Sequence, residues 1–203
     1  MKFQILGRIA GVLAITAGLA ACVDVEAEIE VLSETTGKST TSMTMSSEIY
    51  PMLKEMSASG GDSDSDFCEE EGDVLTENAD GSATCLSVKE GELTALTDGD
   101  DGSDDGMTFT VVSPGVVRVG FPTNELTADV TKGSEGADGA QALAMMRPYF
   151  EDRSIKVRIK GKRIVESNMT VSGNAAETTL LWTDLLDGKA DVPAELFAVV
   201  DTN

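Results

Sequence analysis

The sequence predicts an α+β domain, mostly antiparallel β-sheet with two short helices and one disulfide. Three observations lead to this fold class. Apolar and polar residues alternate in short segments separated by glycine- and aspartate-containing turns, as in half-buried strands. Apolar spacing of three and four residues, typical of amphipathic helices, occurs in two segments. After the N-terminal segment, Cys68 and Cys85 remain as a pair.

Residues 1–21 have the layout of a bacterial secretory signal. They contain two basic residues, Lys2 and Arg8, no acidic residue, and an apolar run over 9–19. The run is shorter than the roughly 20 apolar residues that a permanent transmembrane helix needs. Its ending, Leu-Ala-Ala-Cys, resembles the lipobox of bacterial lipoproteins, which implies cleavage before Cys22 and acylation of that residue. The alternative is an ordinary cleavage site followed by a free cysteine.

Acylation of Cys22 would make the protein a lipid-anchored component of the bacterial cell envelope that faces the periplasm. Two or three acyl chains hold a protein on a membrane, whereas a single chain binds only marginally. Residue 23 is valine rather than aspartate, and by resemblance to enterobacterial lipoproteins this favours the outer over the inner membrane. Residues 22–203 are therefore expected to form a single envelope domain, attached to the membrane through its N-terminal lipid.

The mature chain is strongly acidic and has no histidine. Removing residues 1–21 removes two of the 15 basic residues and none of the 36 acidic ones, which leaves a net charge of −23. This charge argues against nucleic acid as a partner, since nucleic-acid affinity depends on Lys and Arg. The absence of histidine excludes Ser-His-Asp and Cys-His catalysis and His-ligated metal sites. We therefore expect no enzyme, no catalytic residues and no metal, with paired-carboxylate or Ser-Lys chemistry as the remaining catalytic alternatives.

The first elements are predicted to be a hairpin and a helix. Residues 23–32 alternate between apolar and acidic, which predicts a half-buried strand that starts directly after Cys22. A turn at 33–38 leads to a returning strand at 39–46. Ser46 or Ser47 then caps a helix whose apolar residues recur at spacings of three and four. These residues are Ile49, Met52, Leu53 and Met56.

Two acidic loops flank the region of the cysteine pair. Segment 57–66 has three aspartates and segment 98–106 has five. We expect solvated loops, with calcium binding as the alternative, because aspartate oxygens are calcium ligands while neither segment matches the EF-hand pattern. Between the loops, Cys68 and Cys85 are expected to form a disulfide worth roughly 3 kcal/mol. A metal site is disfavoured, because neither cysteine has a second one two to four positions away.

The remainder of the chain is predicted to be mainly strands. A second helix is expected at 140–150, where apolar residues again recur at three- and four-residue spacing. Strands are expected at 83–88, 92–97, 107–112, 116–121, 154–160, 163–167, 177–182 and 195–200.

Basic residues are concentrated in one segment, 153–163, which holds six of them and no acid. One interpretation is that this segment contacts anionic lipid headgroups, where each Lys or Arg contributes about 1 kcal/mol. The favoured one is pairing with the first strand at about 0.2–1 kcal/mol per cross-strand pair. In that case the two strands are neighbours, and Glu26, Glu28 and Glu30 lie opposite Lys156, Arg158 and Lys160.

Methionine-rich helix faces allow two interpretations. Helical spacing usually indicates plain core, but methionine also suits adaptable apolar binding surfaces. The second interpretation predicts a lipid groove, for which the candidate residues are Met52, Met56, Met146, Phe150 and Trp182.

The segment Arg153-Ser-Ile-Lys-Val-Arg-Ile-Lys-Gly161, followed by Asn168, Gly173 and Trp182, together with the acidic strand after the lipobox, resembles the LppM-like bacterial lipoproteins. The resemblance covers the two ends and about half of the mature chain. It implies a β-rich α+β envelope domain that binds lipid or glycolipid without enzymatic activity. The alternatives are a structural or assembly adaptor of an envelope complex, with an envelope protein as partner, and a carboxylate-based hydrolase.

Overall fold

The computed structural model describes residues 23–58, 67–68, 71–96, 107–123, 147–187 and 192–203, without the side chains of 56–58. Several sequence predictions lie outside this set. They are the signal segment with Cys22, the loop 98–106, nearly all of the loop 57–66, the side chain of Met56, and most of the helix at 140–150 with Met146.

Eleven strands and two helices have both of their ends within the described residues. In chain order they are β1 (Val23–Val31), β2 (Thr36–Met45), α1 (Tyr50–Ala58), β3 (Val74–Glu77), β4 (Ala83–Glu92), β5 (Thr108–Ser113), β6 (Val116–Pro122), β7 (Ser154–Lys160), β8 (Arg163–Ser167), β9 (Thr170–Ser172), β10 (Ala175–Leu181), α2 (Trp182–Leu186) and β11 (Glu195–Asp201).

The strands form two sheets. The seven-stranded sheet has the order β3-β4-β2-β1-β7-β10-β9, and the four-stranded sheet has the order β5-β6-β11-β8. Among the described strands, every neighbouring pair is antiparallel except β1 and β7, which are parallel. The mostly antiparallel α+β class predicted from the sequence is therefore confirmed. The strand that follows Cys22, β1, is the central strand of the larger sheet.

The helix count predicted from the sequence is too low. The described residues include three short α-helical segments, namely α1, residues 147–150 and α2, together with a 3₁₀ turn at Thr94–Leu96. This turn replaces the strand expected at 92–97, because Leu93 and Leu96 both turn into the core. Helix α1 also extends to Ala58, into the segment assigned to the first acidic loop.

The core lies between the two sheets. Alternate residues of β1 and β7 on one side and of β6 and β11 on the other form one buried cluster, in which Ile159, Val117 and Val200 are among the least exposed side chains. Burying such a side chain contributes about 1.5–3 kcal/mol. A smaller cluster lies under α1, where Tyr50 and Leu53 pack against Val23 of β1, Met45 of β2 and Ala83 of β4.

The chain passes from one sheet to the other at Gly161, between β7 and β8. A Cβ atom built on Gly161 would overlap Cγ1 of Val200, a buried residue of β11. Glycine is therefore required here for close approach of the backbone to the core. This crossing brings β8 and the neighbouring β11 onto the buried face of β7.

Candidate functional site

The junction between the proposed anchor and the domain is fixed inside the fold. Val23, the residue after Cys22, is 3% exposed and opens β1, where it lies opposite Met45 of β2. Its carbonyl oxygen accepts a buried hydrogen bond from Nε1 of Trp182, 3.1 Å away. The chain thus enters the central strand of the larger sheet at the residue that follows Cys22, the last residue of the lipobox-like sequence.

Further contacts tie the strand ends at this junction. Asp24 forms an ion pair with Arg153 at 2.6 Å and accepts a hydrogen bond from the backbone N–H of Ser154 at 2.9 Å. The backbone N–H of Trp182 donates to the carbonyl of Arg153 at 3.1 Å. We did not predict the Asp24–Arg153 pair, because Arg153 precedes β7 and lies outside the alternation of that strand.

Ion pairs occupy the outer face of the seven-stranded sheet. In the parallel register of β1 and β7, Glu26 lies opposite Lys156, Glu28 opposite Arg158, and Glu30 opposite Lys160. The closest N–O distances of these three pairs are 3.6, 3.1 and 3.3 Å. The observed register agrees with the pairing that the charge pattern predicts. We call this set of six residues the charge ladder.

The charge ladder also contacts β10, the strand next to β7. Arg158 also approaches Glu177 with Nε 3.7 Å from the carboxylate, and Lys160 reaches Glu28 at 3.6 Å. Exposed single pairs contribute about 0–1 kcal/mol, whereas connected pairs are more effective. Five cations of the basic segment have protein carboxylates as partners, which supports the pairing interpretation over contact with anionic headgroups. These cations are Arg153, Lys156, Arg158, Lys160 and Arg163.

The described candidates for a lipid groove do not share a surface. Phe150 and Trp182 are buried in the main core with their ring centroids 6.3 Å apart. Met52 is 60% exposed on α1. The structure therefore places Phe150 and Trp182 in the core, where the indole of Trp182 reaches inward to the carbonyl of Val23, and the lipid groove stays a prediction.

The disulfide predicted from the sequence is present. Cys68 and Cys85 are bonded, with their Cα atoms 5.6 Å apart, and Cys85 lies opposite Met43 in the β2–β4 pairing. The bond holds Phe67 beside Tyr50 of α1, with ring centroids 6.2 Å apart. Asp73 also approaches the pair, but the two sulfur atoms are bonded to each other and do not form a thiolate ligand set.

A polar cluster links α1 to the edge of the same sheet. Glu77 accepts hydrogen bonds from the Tyr50 hydroxyl at 2.8 Å and from Nζ of Lys54 at 2.6 Å. The hydrogen bond from Lys54 lowers the pKa of Glu77, and burial together with Glu77 raises the pKa of Tyr50. The tyrosine hydroxyl therefore stays protonated while the carboxylate stays ionised.

A second cluster lies on the outer face of the four-stranded sheet. Arg118 donates two hydrogen bonds to Glu195, at 2.9 and 2.6 Å, and its guanidinium carbon lies 4.5 Å from the ring centroid of Phe197. The hydrogen bonds from Arg118 lower the pKa of Glu195. At the other end of β11, the pKa of Asp201 is lowered mainly by a hydrogen bond from the backbone N–H of Asn203 and, to a smaller extent, by a hydrogen bond from Arg163.

An open cavity of about 260 Å³ lies at the far end of β1, between the β1–β2 turn and β5. Because β1 has nine residues at about 3.3 Å each, its two ends are roughly 26 Å apart. One lining residue, Glu34, accepts a hydrogen bond from the backbone N–H of Gly115. The lining residues are Glu34, Thr35, Glu92, Leu93, Thr94, Phe109, Thr110, Val111 and Val117.

Within the described ranges, none of the helices combines the length and the apolar character that a membrane crossing requires.

Comparison with known proteins gives one structural likeness. No protein-family model matches the chain, and no curated protein matches it. Among solved structures, the chain is similar to the folded domain of the LppM protein of Mycobacterium tuberculosis, with a TM-score of 0.47 and 11% sequence identity. The alignment covers 99% of this chain and 94% of that one. At this identity the likeness does not assign the chain to a family.

Proposed function

We propose that this protein is a lipid-anchored, non-enzymatic lipoprotein of the bacterial envelope that faces the periplasm. The observation that carries the proposal is the junction at Cys22. The lipobox-like sequence ends one residue before Val23, and Val23 is held in the central strand by its contacts with Met45 and Trp182. Acyl chains on Cys22 would therefore attach the domain to a membrane with almost no intervening linker.

Acylation is tested by metabolic labelling with a radioactive fatty acid, followed by mass spectrometry of the N-terminal peptide. We expect the wild-type chain to carry label and to begin at an acylated Cys22. The Cys22→Ser variant should carry none. The matched control, Cys68→Ser, removes a different cysteine and should remain labelled. Wild-type protein without label, or label that survives in Cys22→Ser, would contradict the proposal.

Sorting to the outer membrane is the second part of the proposal. It is supported by Val23, because the position after the acylated cysteine carries aspartate in inner-membrane lipoproteins of the enterobacterial type. Fractionation of membranes on a density gradient should recover the protein with the outer membrane. A Val23→Asp variant should move toward the inner membrane in a host that uses this rule. Recovery of the wild-type chain with the inner membrane would refute this part.

A non-enzymatic role is supported by the charge states of the described carboxyl groups. A carboxylate hydrolase needs one acid with a raised pKa that can donate a proton. Where the pKa of a described Asp or Glu clearly departs from its ordinary value, it is lowered by hydrogen bonds, as in Glu77, Asp80, Glu195 and Asp201. These four groups are suited to structural ion pairs and hydrogen bonds.

The hydrolase alternative can be tested at the cavity, where Glu34 and Glu92 both contribute to the lining. We expect purified protein to release no soluble fragments from isolated peptidoglycan or envelope polysaccharide. Release that disappears in Glu34→Gln or Glu92→Gln, and persists in the control Glu26→Gln on the charge ladder, would overturn the non-enzymatic assignment.

The cavity also supports a second candidate function, recognition of another envelope component. It is smaller than the roughly 300–1,000 Å³ of pockets for drug-sized ligands, and carboxylates and threonine hydroxyls alternate with apolar residues in its lining. It lies at the end of β1 opposite the anchor. This position favours a polar ligand or a protein partner over a lipid that remains in the same bilayer.

Two measurements separate these ligand classes. A photo-crosslinking amino acid at Thr110, in the cavity lining, should capture a defined partner in cells, while the same probe at Thr44 on the outer sheet face should not. Native mass spectrometry of protein purified from its own membrane tests the lipid alternative. A copurifying lipid that is lost on substitution of cavity residues would favour lipid or glycolipid binding over the adaptor role.

A further inference from the structure

The direction of β1 gives the domain an orientation relative to its anchor. Consecutive Cα atoms are about 3.8 Å apart, so Cys22 lies within this distance of Val23. Since Val23 is buried and hydrogen-bonded, it is not a flexible linker between Cys22 and the domain. The end of the seven-stranded sheet at which β1 and β7 start, and β2 and β10 finish, is therefore the end nearest the acyl chains.

Three exposed apolar side chains lie at this same end. Leu181 closes β10, opposite Ser154, and is 44% exposed. Tyr149 is 45% exposed and adjoins Phe150, whose carbonyl accepts the backbone N–H of Arg153. Met52, 60% exposed, projects from the helix that packs over Val23.

Charge at this end does not favour binding to anionic lipid. The cations Arg153, Lys54 and Arg147 form 2.6 Å ion pairs with Asp24, Glu77 and Asp187, respectively. Glu151 and Asp152, in the turn before Arg153, add further negative charge. Attraction to the membrane surface must therefore come from the acyl chains and from apolar contact.

We propose that this end of the domain rests on the interface of a zwitterionic bilayer, with Met52, Tyr149 and Leu181 in contact with the headgroup region. Amphipathic aromatic side chains such as tyrosine are enriched at membrane interfaces. The charge ladder then runs away from the membrane, and the cavity opens at the distal end of the sheet. This proposal rests on the acylation of Cys22.

Position-dependent fluorescence quenching tests the orientation. Full-length acylated protein is reconstituted into phosphatidylcholine vesicles whose acyl chains are brominated near the headgroups. Three variants each carry one added tryptophan, Met52→Trp, Tyr149→Trp or Leu181→Trp, and the signal of the native Trp182 is measured in the wild-type chain. The matched control is Leu32→Trp, because Leu32 is 45% exposed but follows the distal end of β1.

We expect the added tryptophan at 52, 149 and 181 to lose most of its fluorescence in brominated vesicles, while the tryptophan at 32 retains it. Equal quenching at all four positions, or stronger quenching at 32, overturns the orientation. Shielding of positions 149 and 181 by a second protein copy, seen as cross-linked dimers without quenching, also overturns it.

The acylation state of the same sample keeps the two proposals distinguishable. Vesicle-bound protein with an acylated N-terminal peptide but no positional difference in quenching refutes the orientation and leaves the lipoprotein assignment intact. Protein without the acyl modification, which fails to float with the vesicles, refutes both.

Discussion

Nε1 of Trp182 donates a hydrogen bond to the carbonyl oxygen of Val23 across 3.1 Å, in the interior of the protein. The two residues are 159 positions apart, so this bond connects the first residue after the lipobox cysteine to the first residue of α2. It fixes the start of β1 to the end of β10 through the core. This contact is one of several that hold the start of β1 in the domain, together with the pairing of Val23 with Met45 and the ion pair of Asp24 with Arg153.

Replacing Trp182 with phenylalanine should destabilise the domain. The substitution removes the N–H donor, so the buried carbonyl of Val23 loses its partner, which costs about 1–3 kcal/mol. It also removes one of the two fused rings of the indole from the core, and the space left behind adds to this cost. We expect the urea midpoint of unfolding to fall while the m-value stays unchanged. Leu181→Ala, at the exposed adjacent position, is the control and should change stability little. A phenylalanine variant as stable as wild type would show that the hydrogen bond is dispensable.

The charge ladder should show measurable coupling between β1 and β7. In a double-mutant cycle on Glu28 and Arg158, we expect about 0.2–1 kcal/mol of interaction free energy, since the pair is partly exposed. This energy should decrease as salt is added. Arg158→Ala should cost more than Lys156→Ala, because Arg158 contacts both Glu28 and Glu177. Coupling that is zero at low salt would mean that the ladder sets register without adding stability.

A methyl group at Gly161 should interfere with the packing of the two sheets. Its Cβ would overlap Cγ1 of Val200, and overpacking of this kind costs about 1–3 kcal/mol. Thermal unfolding should therefore show a lowered midpoint for Gly161→Ala. Gly91→Ala is the matched control, because a Cβ at Gly91 meets nothing within 4 Å. Adding Val200→Ala to the Gly161 variant should reduce the conflict, and an unchanged midpoint for Gly161→Ala would contradict the close approach.

Stability should fall in acid partly through Glu195. The hydrogen bonds from Arg118 lower its pKa below the ordinary value of 4.5. Between the lowered pKa and 4.5, the unfolded chain binds more protons than the folded one, so stability rises with pH in this range. The contribution is complete above 4.5 and is lost as pH falls through the lowered pKa.

This linkage is measured as the pH dependence of the urea midpoint in the acid range. Glu195→Gln should flatten the profile, and Arg118→Gln should flatten it to a similar degree because it removes the cause of the shift. A profile that keeps its full slope in both variants would show that other carboxyl groups dominate acid unfolding.

The sequence by itself determined the local features of this fold. Strict alternation at β1 and β7 predicts both strands, because a sheet side chain has a period of two. The opposite charges on their polar positions predict that the strands are neighbours. The presence of Cys68 and Cys85 as a pair, after a segment with the layout of a secretory signal, predicts their bond. Strands in which apolar and polar residues alternate less regularly are predicted less accurately from the sequence. The four residues of β3 are all exposed and have no buried face to create a pattern.

The tertiary structure alone decided the parallel direction of β1 and β7, the division of the strands into two sheets, and the position of Trp182. Alternation states that one face of a strand is buried, but it does not say which distant strand covers that face. Trp182 and Met52 look equivalent as apolar residues in sequence. One is buried because its indole reaches the carbonyl of Val23, and the other stays at the surface because only the opposite side of α1 packs on the sheet.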